Sequence, residues 1–194
     1  AVALQPDGKI VVAGYSDNGT NNDFAAVRYD GGLTAGGSAN VTASVSLTAL
    51  EAILGLFAHN ISFPTVVLLG ADQLVDAADY AWQASDTSAA AAGWHVTLSA
   101  NDFSDGGSGF IAVSGFTVDM ANTAISTVSG NTPPTSQVAS STGLSSGGVT
   151  LLSAAIGNGL GTYNFVPHFQ LLVPGATTAG DYSTTVTATI ISGP

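Results

Sequence analysis

The feature that most restricts the fold of this chain is a nearly regular alternation of apolar and polar, mostly hydroxyl-bearing, residues in several of its segments. In residues 182–190, for example, Ser or Thr occupies every second position, and the residues between them face the other way: Tyr182, Thr184, Val186, Ala188 and Ile190. A period of two places successive side chains on opposite faces of a β-strand. Many such segments, separated by Gly-rich turns, predict an all-β fold, specifically an antiparallel β-sandwich of the Greek-key or jelly-roll kind.

One stretch departs from this period. Between Thr48 and Ala58 four apolar residues recur at helical spacing: Leu50, Ile53, Leu54 and Phe57. We expect a helix of one or two turns there.

The charge balance excludes several classes of partner. The 194 residues include 2 Lys or Arg and 13 Asp or Glu, for a formal net charge of -11. Phosphate recognition requires clusters of basic side chains, so the chain is not a nucleic-acid binder. The apolar runs are far shorter than the roughly 20 residues of a membrane span. The chain has no cysteine, which excludes disulfides and thiol nucleophiles.

Composition divides the chain into three parts. Residues 1–30 contain short β-like segments and predict a β-hairpin extension, residues 31–39 form a Gly-rich linker, and residues 40–194 form the sandwich. Because the chain begins at Ala1, we expect a processed product or a fragment, with Pro194 as the natural C terminus.

The N-terminal hairpin carries apolar residues that it cannot bury alone. They are Ile10, Val12, Phe24 and Val27. Either the hairpin folds back onto its own sandwich, or it adds to a neighbouring copy by strand addition. The second alternative predicts self-association into a homo-oligomer or a homopolymeric filament.

Residues that could support catalysis are few and scattered. His59, His95 and His168 match no metal-ligand spacing, and no nucleophile motif is present. We therefore expect no enzymatic activity and no organic cofactor. Asp102 and Asp105 lie in a Gly-rich turn and offer hard oxygen ligands, so they are candidates for a structural Ca²⁺ site.

The aromatic residues permit two interpretations. Trp82 and Tyr80 are candidates for a glycan contact, because exposed aromatic rings stack on sugar rings. Alternatively, Trp82 belongs to the core, as we expect for Trp94, which shares its strand face with Val96 and Leu98. Sequons at Asn18, Asn40 and Asn60 are candidate glycosylation sites, which the sequence alone leaves open.

Residues 4–29 resemble the delta-60 repeat, a propeller-like β repeat of secreted bacterial proteins. The resemblance is carried by Leu-Gln-Pro-Asp-Gly-Lys-Ile-Val-Val-Ala-Gly-Tyr and by Asp-Phe-Ala-Ala-Val-Arg-Tyr. About half of one repeat is present, so this segment cannot close a propeller by itself.

Residues 40–194 resemble the WxL-type cell-surface domain. The segments that carry the resemblance are Leu-Gly-Ala-Asp-Gln (69–73), Gly-Trp-His-Val-Thr-Leu-Ser-Ala (93–100), Gly-Thr-Tyr (161–163), Val-Pro (173–174) and the last strand from Gly180. In the first Trp-x-Leu motif Val96 replaces the leucine, and Ala188-Thr-Ile190 stands where the second motif is expected. The resemblance implies an extracellular, surface-located bacterial protein attached non-covalently to a cell wall.

Two functions follow. The first is a non-catalytic, secreted structural protein of the cell surface or matrix that assembles through β-strand addition. The alternative is an attachment module that binds cell wall or glycan.

Overall fold

The structure is a computed structural model, and it describes residues 2–4, 10–17, 22–29, 38–49, 54–88, 90–120 and 124–194. The chain forms two compact units, Ala1–Gly37 and Ser38–Pro194. The predicted linker, residues 31–39, lies almost wholly outside the described residues, and its last two residues belong to the first strand of the second unit.

The first unit contains a three-stranded antiparallel sheet in the order β1-β2-β3. Its strands are β1 (Val2–Leu4), β2 (Ile10–Asp17) and β3 (Asn22–Tyr29). The backbone register of β2 and β3 pairs Val12 with Val27 and Tyr15 with Phe24.

Apart from one short 3-10 turn, the described regular elements of the second unit are all strands, which confirms the all-β prediction. Its described elements are β4 (Ser38–Ala49), β5 (Leu54–Phe57), β6 (Ile61–Ser62), β7 (Val66–Val67), β8 (Gln73–Asp76), β9 (Trp82–Asp86), β10 (Trp94–Ala100), β11 (Phe103–Ser104), β12 (Phe110–Ile111), the 3-10 turn η1 (Val113–Gly115), β13 (Phe116–Asp119), β14 (Ser126–Gly130), β15 (Thr135–Ser136), β16 (Thr142–Gly143), β17 (Val149–Ala154), β18 (Gly161–Phe165), β19 (His168–Val173) and β20 (Gly180–Ser192). No helix in the described part of the chain has the length and apolar character needed to cross a membrane.

Strand β20 organises the largest sheet of this unit. It pairs with β10 and β11 on one side and with β4 on the other. Two four-stranded sheets accompany it, in the orders β16-β13-β19-β8 and β14-β18-β9-β5. Alternate residues of β20, from Tyr182 to Ile190, are buried, as the period of two predicted.

One pairing differs from the antiparallel expectation. Strand β4 runs parallel to β20, with Gly180 opposite Ala39 and Ile190 opposite Ala49. The alternation of a strand fixes which of its faces is buried but not the direction of its neighbour. Because Ala39, Val41 and Ala43 are buried, β4 is an integral part of the core.

Aromatic side chains fill much of this core. The centroid of the Phe116 ring lies 5.2 Å from that of Phe103, 5.9 Å from that of Phe63 and 5.8 Å from that of Phe169. Trp82 lies 5.7 Å from Phe169 and continues the same cluster. Edge-to-face and tilted ring pairs of this kind add stability beyond that of the area they bury.

The predicted helix over residues 48–58 is wrong in its described part. Strand β4 extends to Ala49, and Leu54–Phe57 form β5, which pairs with β9. Leu54 and Phe57 are three residues apart, a spacing that also suits a strand whose two faces differ in burial: Leu54 is buried and Phe57 is 54% exposed. Tertiary pairing with β9 decides the outcome in so short an apolar run.

Candidate functional site

An exposed group of rings lies where β5 ends and β9 begins. The His59 ring stacks on Tyr80 with centroids 5.2 Å apart and 30° between planes. Phe57 meets the same His59 ring edge-on, with centroids 5.0 Å apart. Phe57 is 54% exposed and Tyr80 is 47% exposed. We call Phe57, His59 and Tyr80 the aromatic cluster.

The loop that carries Tyr80 is held by backbone hydrogen bonds. The Ala77 amide donates to the Phe169 carbonyl at 2.9 Å, and the Ala78 amide donates to the Ser62 carbonyl at 3.2 Å. Tyr80 follows two residues later and leads into β9. The ring is therefore presented from a loop that two other strands anchor.

A groove of about 430 Å³ borders Tyr80. Its wall consists of Ser62, Phe63, Pro64, Asp76, Ala77, Ala78 and Tyr80. This volume lies within the range of sites that hold small molecules or single groups of a larger ligand. The groove thus combines an aromatic ring, a hydroxyl and a carboxylate.

A hydrogen-bonded group of polar side chains supports the acidic wall. His168 Nδ1 lies 2.9 Å from Asp79 Oδ1, and His168 Nε2 lies 3.4 Å from Asp76 Oδ1. Gln170 Nε2 donates to the same oxygen of Asp76 at 2.8 Å. The hydrogen bond to Asp79 raises the pKa of His168 above 6.5, burial opposes this shift, and the charges of Asp79, Asp119 and Asp76 add to it. The imidazole therefore holds a proton more readily in the folded chain.

The two candidates for a glycan contact, Tyr80 and Trp82, differ in their exposure to solvent. Tyr80 is accessible, but Trp82 is only 2% exposed and packs against Phe165 and Phe169. The prediction of Trp82 as a glycan contact is therefore corrected. Trp82 starts β9 with its ring on the buried face, and the core interpretation is the right one.

Trp94 also belongs to the core, as its strand pattern predicted. Its ring is fully buried, and Val96 and Leu98 share its face of β10. His95, on the opposite face, places Nδ1 2.7 Å from the Gly193 carbonyl oxygen. The first aromatic residue of the Trp-x-Leu-like motif is thus a packing residue in this chain.

Asp102 and Asp105 have structural partners. Asp102 Oδ1 accepts a hydrogen bond from the Val113 amide at 2.8 Å. Asp105 Oδ1 accepts from the amides of Gly107 at 2.7 Å and Gly109 at 3.0 Å. In the part of the chain that the structure describes, no group of three or more His, Cys, Asp or Glu is placed to hold a metal ion. A Ca²⁺ site at these two residues remains a prediction.

The assembly residues stay at the level of a prediction. Ile10, Val12, Phe24 and Val27 lie on β2 and β3, but the surroundings of their side chains fall outside the described residues. Of the sequon residues, Asn18 falls outside the described residues as well, whereas Asn40 and Asn60 are exposed.

Sequence reasoning missed two members of the aromatic cluster. The helical spacing places Phe57 on the apolar face of a helix, and the absence of a metal-ligand or catalytic pattern makes His59 an ordinary surface or packed histidine. The signal that was available is the alternation Phe57-Ala-His59, which places both rings on one side of an extended segment. Their meeting with Tyr80 depends on the pairing of β5 with β9, which a local pattern does not reveal.

These features define the class: an all-β domain that presents a shallow, aromatic and acidic surface groove. The chain belongs to the WxL family, since the family model described as a WxL domain, surface cell wall-binding, matches residues 69–194. It is accordingly a cell-surface domain. A second model, described as a domain of unknown function (DUF5122), beta-propeller, matches residues 5–35. Both resemblances predicted from the sequence are confirmed. No curated protein matches the chain.

Proposed function

We propose that this chain is a non-catalytic attachment module that binds the cell wall. The observation that carries the proposal is its membership of a family described by surface cell-wall binding, with a match that runs from residue 69 to the last residue. Of the two functions expected from the sequence, the attachment module is the better supported.

The geometry is compatible with this function. The groove beside Tyr80 is open to solvent and displays an aromatic ring and a carboxylate. A flat polymer needs an open surface of this kind, whereas catalysis generally requires positioned groups in a cavity. Binding without turnover is thus the simplest use of the groove.

A sedimentation assay tests the proposal. Purified full-length chain is mixed with insoluble bacterial cell walls, centrifuged, and assayed in pellet and supernatant. We expect the chain in the pellet at wall concentrations that leave an unrelated acidic β-sandwich protein in the supernatant. The chain has a net charge of -11, so we do not expect attraction to anionic wall groups to hold it on the wall. Screening by 0.5 M NaCl should therefore leave binding in place. A chain that stays in the supernatant at every wall concentration overturns the proposal.

Filament formation is retained as a separate prediction of the sequence. It requires the hairpin to pair with a neighbouring copy. A wall attachment module needs no such pairing, so electron microscopy of the purified chain distinguishes the two functions.

A further inference from the structure

We propose that the groove between Tyr80 and Asp76 is the glycan-binding site of this chain, and that it takes neutral pyranose rings rather than anionic wall polymers. This inference rests on the proposed function and specifies where and how the wall is bound. The groove lies outside β10 and β20, the strands that carry the Trp-x-Leu-like segments.

The apolar half of the site is the Tyr80 ring. One of its faces is covered by His59, which Phe57 in turn supports from the edge. The side chain is nevertheless 47% exposed and borders the groove. A ring that is held by a stacked neighbour and still borders the groove with about half of its surface is suited to contact the C–H face of a sugar, with little conformational entropy to lose.

The polar half is the Asp76 carboxylate. Its contacts with Gln170 and His168 both use Oδ1. Within the described part of the chain, Oδ2 receives no hydrogen bond, and the side chain is 63% exposed. Oδ2 is therefore free to accept a hydrogen bond from a sugar hydroxyl, a charge-assisted bond that is stronger than one between neutral groups.

The electrostatics select the class of ligand. Asp76 lies in the groove wall and Asp79 is 49% exposed beside it, in a chain of net charge -11. A phosphate or carboxylate polymer would bring like charges together, which costs free energy and slows association. A neutral chain of hexopyranose units supplies both the C–H faces and the hydroxyl donors.

The core gives the site its position. Trp82, two residues after Tyr80, is packed on Phe169, and the Phe169 carbonyl accepts the amide of Ala77. The groove wall is thus joined to the packed centre of the domain on either side of Tyr80. Binding groups that are held in place before the ligand arrives bind with a smaller ordering cost.

The test uses the full-length chain and two soluble probes in calorimetric titrations. The neutral probe is the hexamer of β-1,4-linked N-acetylglucosamine, and the anionic probe is poly(glycerol phosphate). We expect the wild type to bind the hexamer and not the phosphate polymer. Tyr80→Ala should weaken hexamer binding at least tenfold, Asp76→Asn severalfold, and Tyr80→Phe less than twofold.

Phe110→Ala is the matched control, because Phe110 is an aromatic side chain that is 69% exposed but lies outside this groove. It should bind the hexamer like the wild type. Circular dichroism of each variant verifies that the fold is retained. The assignment is overturned if the wild type ignores the hexamer, if Tyr80→Ala binds it unchanged, or if the phosphate polymer binds more tightly.

Cell walls separate this inference from the proposed function. Wild type that fails to sediment with walls contradicts the attachment function itself. Wild type and Tyr80→Ala that sediment equally contradict only the site. Walls stripped of phosphate polymers with hydrofluoric acid should retain at least the full binding of untreated walls, and loss of binding on stripping overturns the choice of a neutral ligand.

Discussion

The buried indole of Trp94 donates a hydrogen bond from Nε1 to the Gly159 carbonyl oxygen at 2.9 Å. Gly159 has φ +75°, in the region that favours glycine. A Cβ atom added there would lie 2.6 Å from Trp94 Nε1 and would also collide with Ala154. The tryptophan of the Trp-x-Leu-like motif therefore works together with a glycine far along the chain to close the core.

This pair predicts a specific cost for Gly159→Ala. The left-handed backbone alone costs an alanine about 1 kcal/mol, and forced contact with a packed ring adds about 1–3 kcal/mol. Gly157→Ala is the control, because Gly157 has φ +85° and nothing within 4 Å of an added Cβ. Urea unfolding should show a clearly larger loss for Gly159→Ala. Equal losses would mean that contact with Trp94 contributes nothing.

A second prediction separates the neighbouring residues Trp82 and Tyr80. Trp82→Ala empties a buried site and should lower the free energy of unfolding by about 3–5 kcal/mol. Tyr80→Ala alters an exposed loop position and should change it by about 0.5 kcal/mol or less. Thermal and urea unfolding of both variants checks this. Similar destabilisation by the two would contradict the different burial of these residues.

The consequence concerns experiments on binding. A loss of wall binding in Trp82→Ala would be explained by the damaged core and would not identify a contact. Tyr80→Ala is the informative variant, since it removes a ring at the surface without opening the interior.

The strand pattern of this chain was readable from its sequence. Hydroxyl residues alternate with apolar ones in β10 and β20, and both strands bury the predicted face. The buried position of Trp94 followed from the same alternation. These features are local, because the period of a strand depends only on which of its faces meets the core.

The aromatic cluster and the direction of β4 were not readable in this way. Phe57, His59 and Tyr80 come together only because β5 pairs with β9. Strands β4 and β20 lie at opposite ends of the domain in sequence, and they pair in parallel. Both results depend on long-range pairing, about which alternation within one strand carries no information.

Truncation tests the role of β4 in the fold. Removal of residues 1–37 deletes the first compact unit and leaves the β4–β20 ladder, so we expect a cooperative unfolding transition like that of the full chain. Removal of residues 1–49 also deletes buried Val41 and exposes an edge of β20, and this variant should aggregate or lack a cooperative transition. Cooperative folding of the shorter variant would show that β4 is dispensable.

The variant that lacks residues 1–37 also tests the assembly prediction. If the N-terminal hairpin joins copies by strand addition, full-length chain should form fibres, and the variant without residues 1–37 should not. Negative-stain microscopy decides this. Fibres of the same repeat from both proteins would exclude the hairpin as the joining element.

The last prediction concerns pH and His168. Its pKa is raised in the folded chain, chiefly by the hydrogen bond with Asp79, so the folded state binds the proton more tightly than the unfolded state does. The resulting stabilisation is fully present below the unfolded pKa of about 6.5 and is lost as the pH rises through the folded pKa. Wild type should therefore exceed His168→Gln in stability by more at pH 5.5 than at pH 8.5. Asp79→Asn should reduce this pH dependence by removing the main cause of the shift, and 1 M NaCl should reduce it by screening partly exposed charges. Urea unfolding at both pH values, together with NMR titration of the imidazole, measures these differences. A stability difference between wild type and His168→Gln that does not change with pH would show that the contact with Asp79 does not make the imidazole bind its proton more tightly.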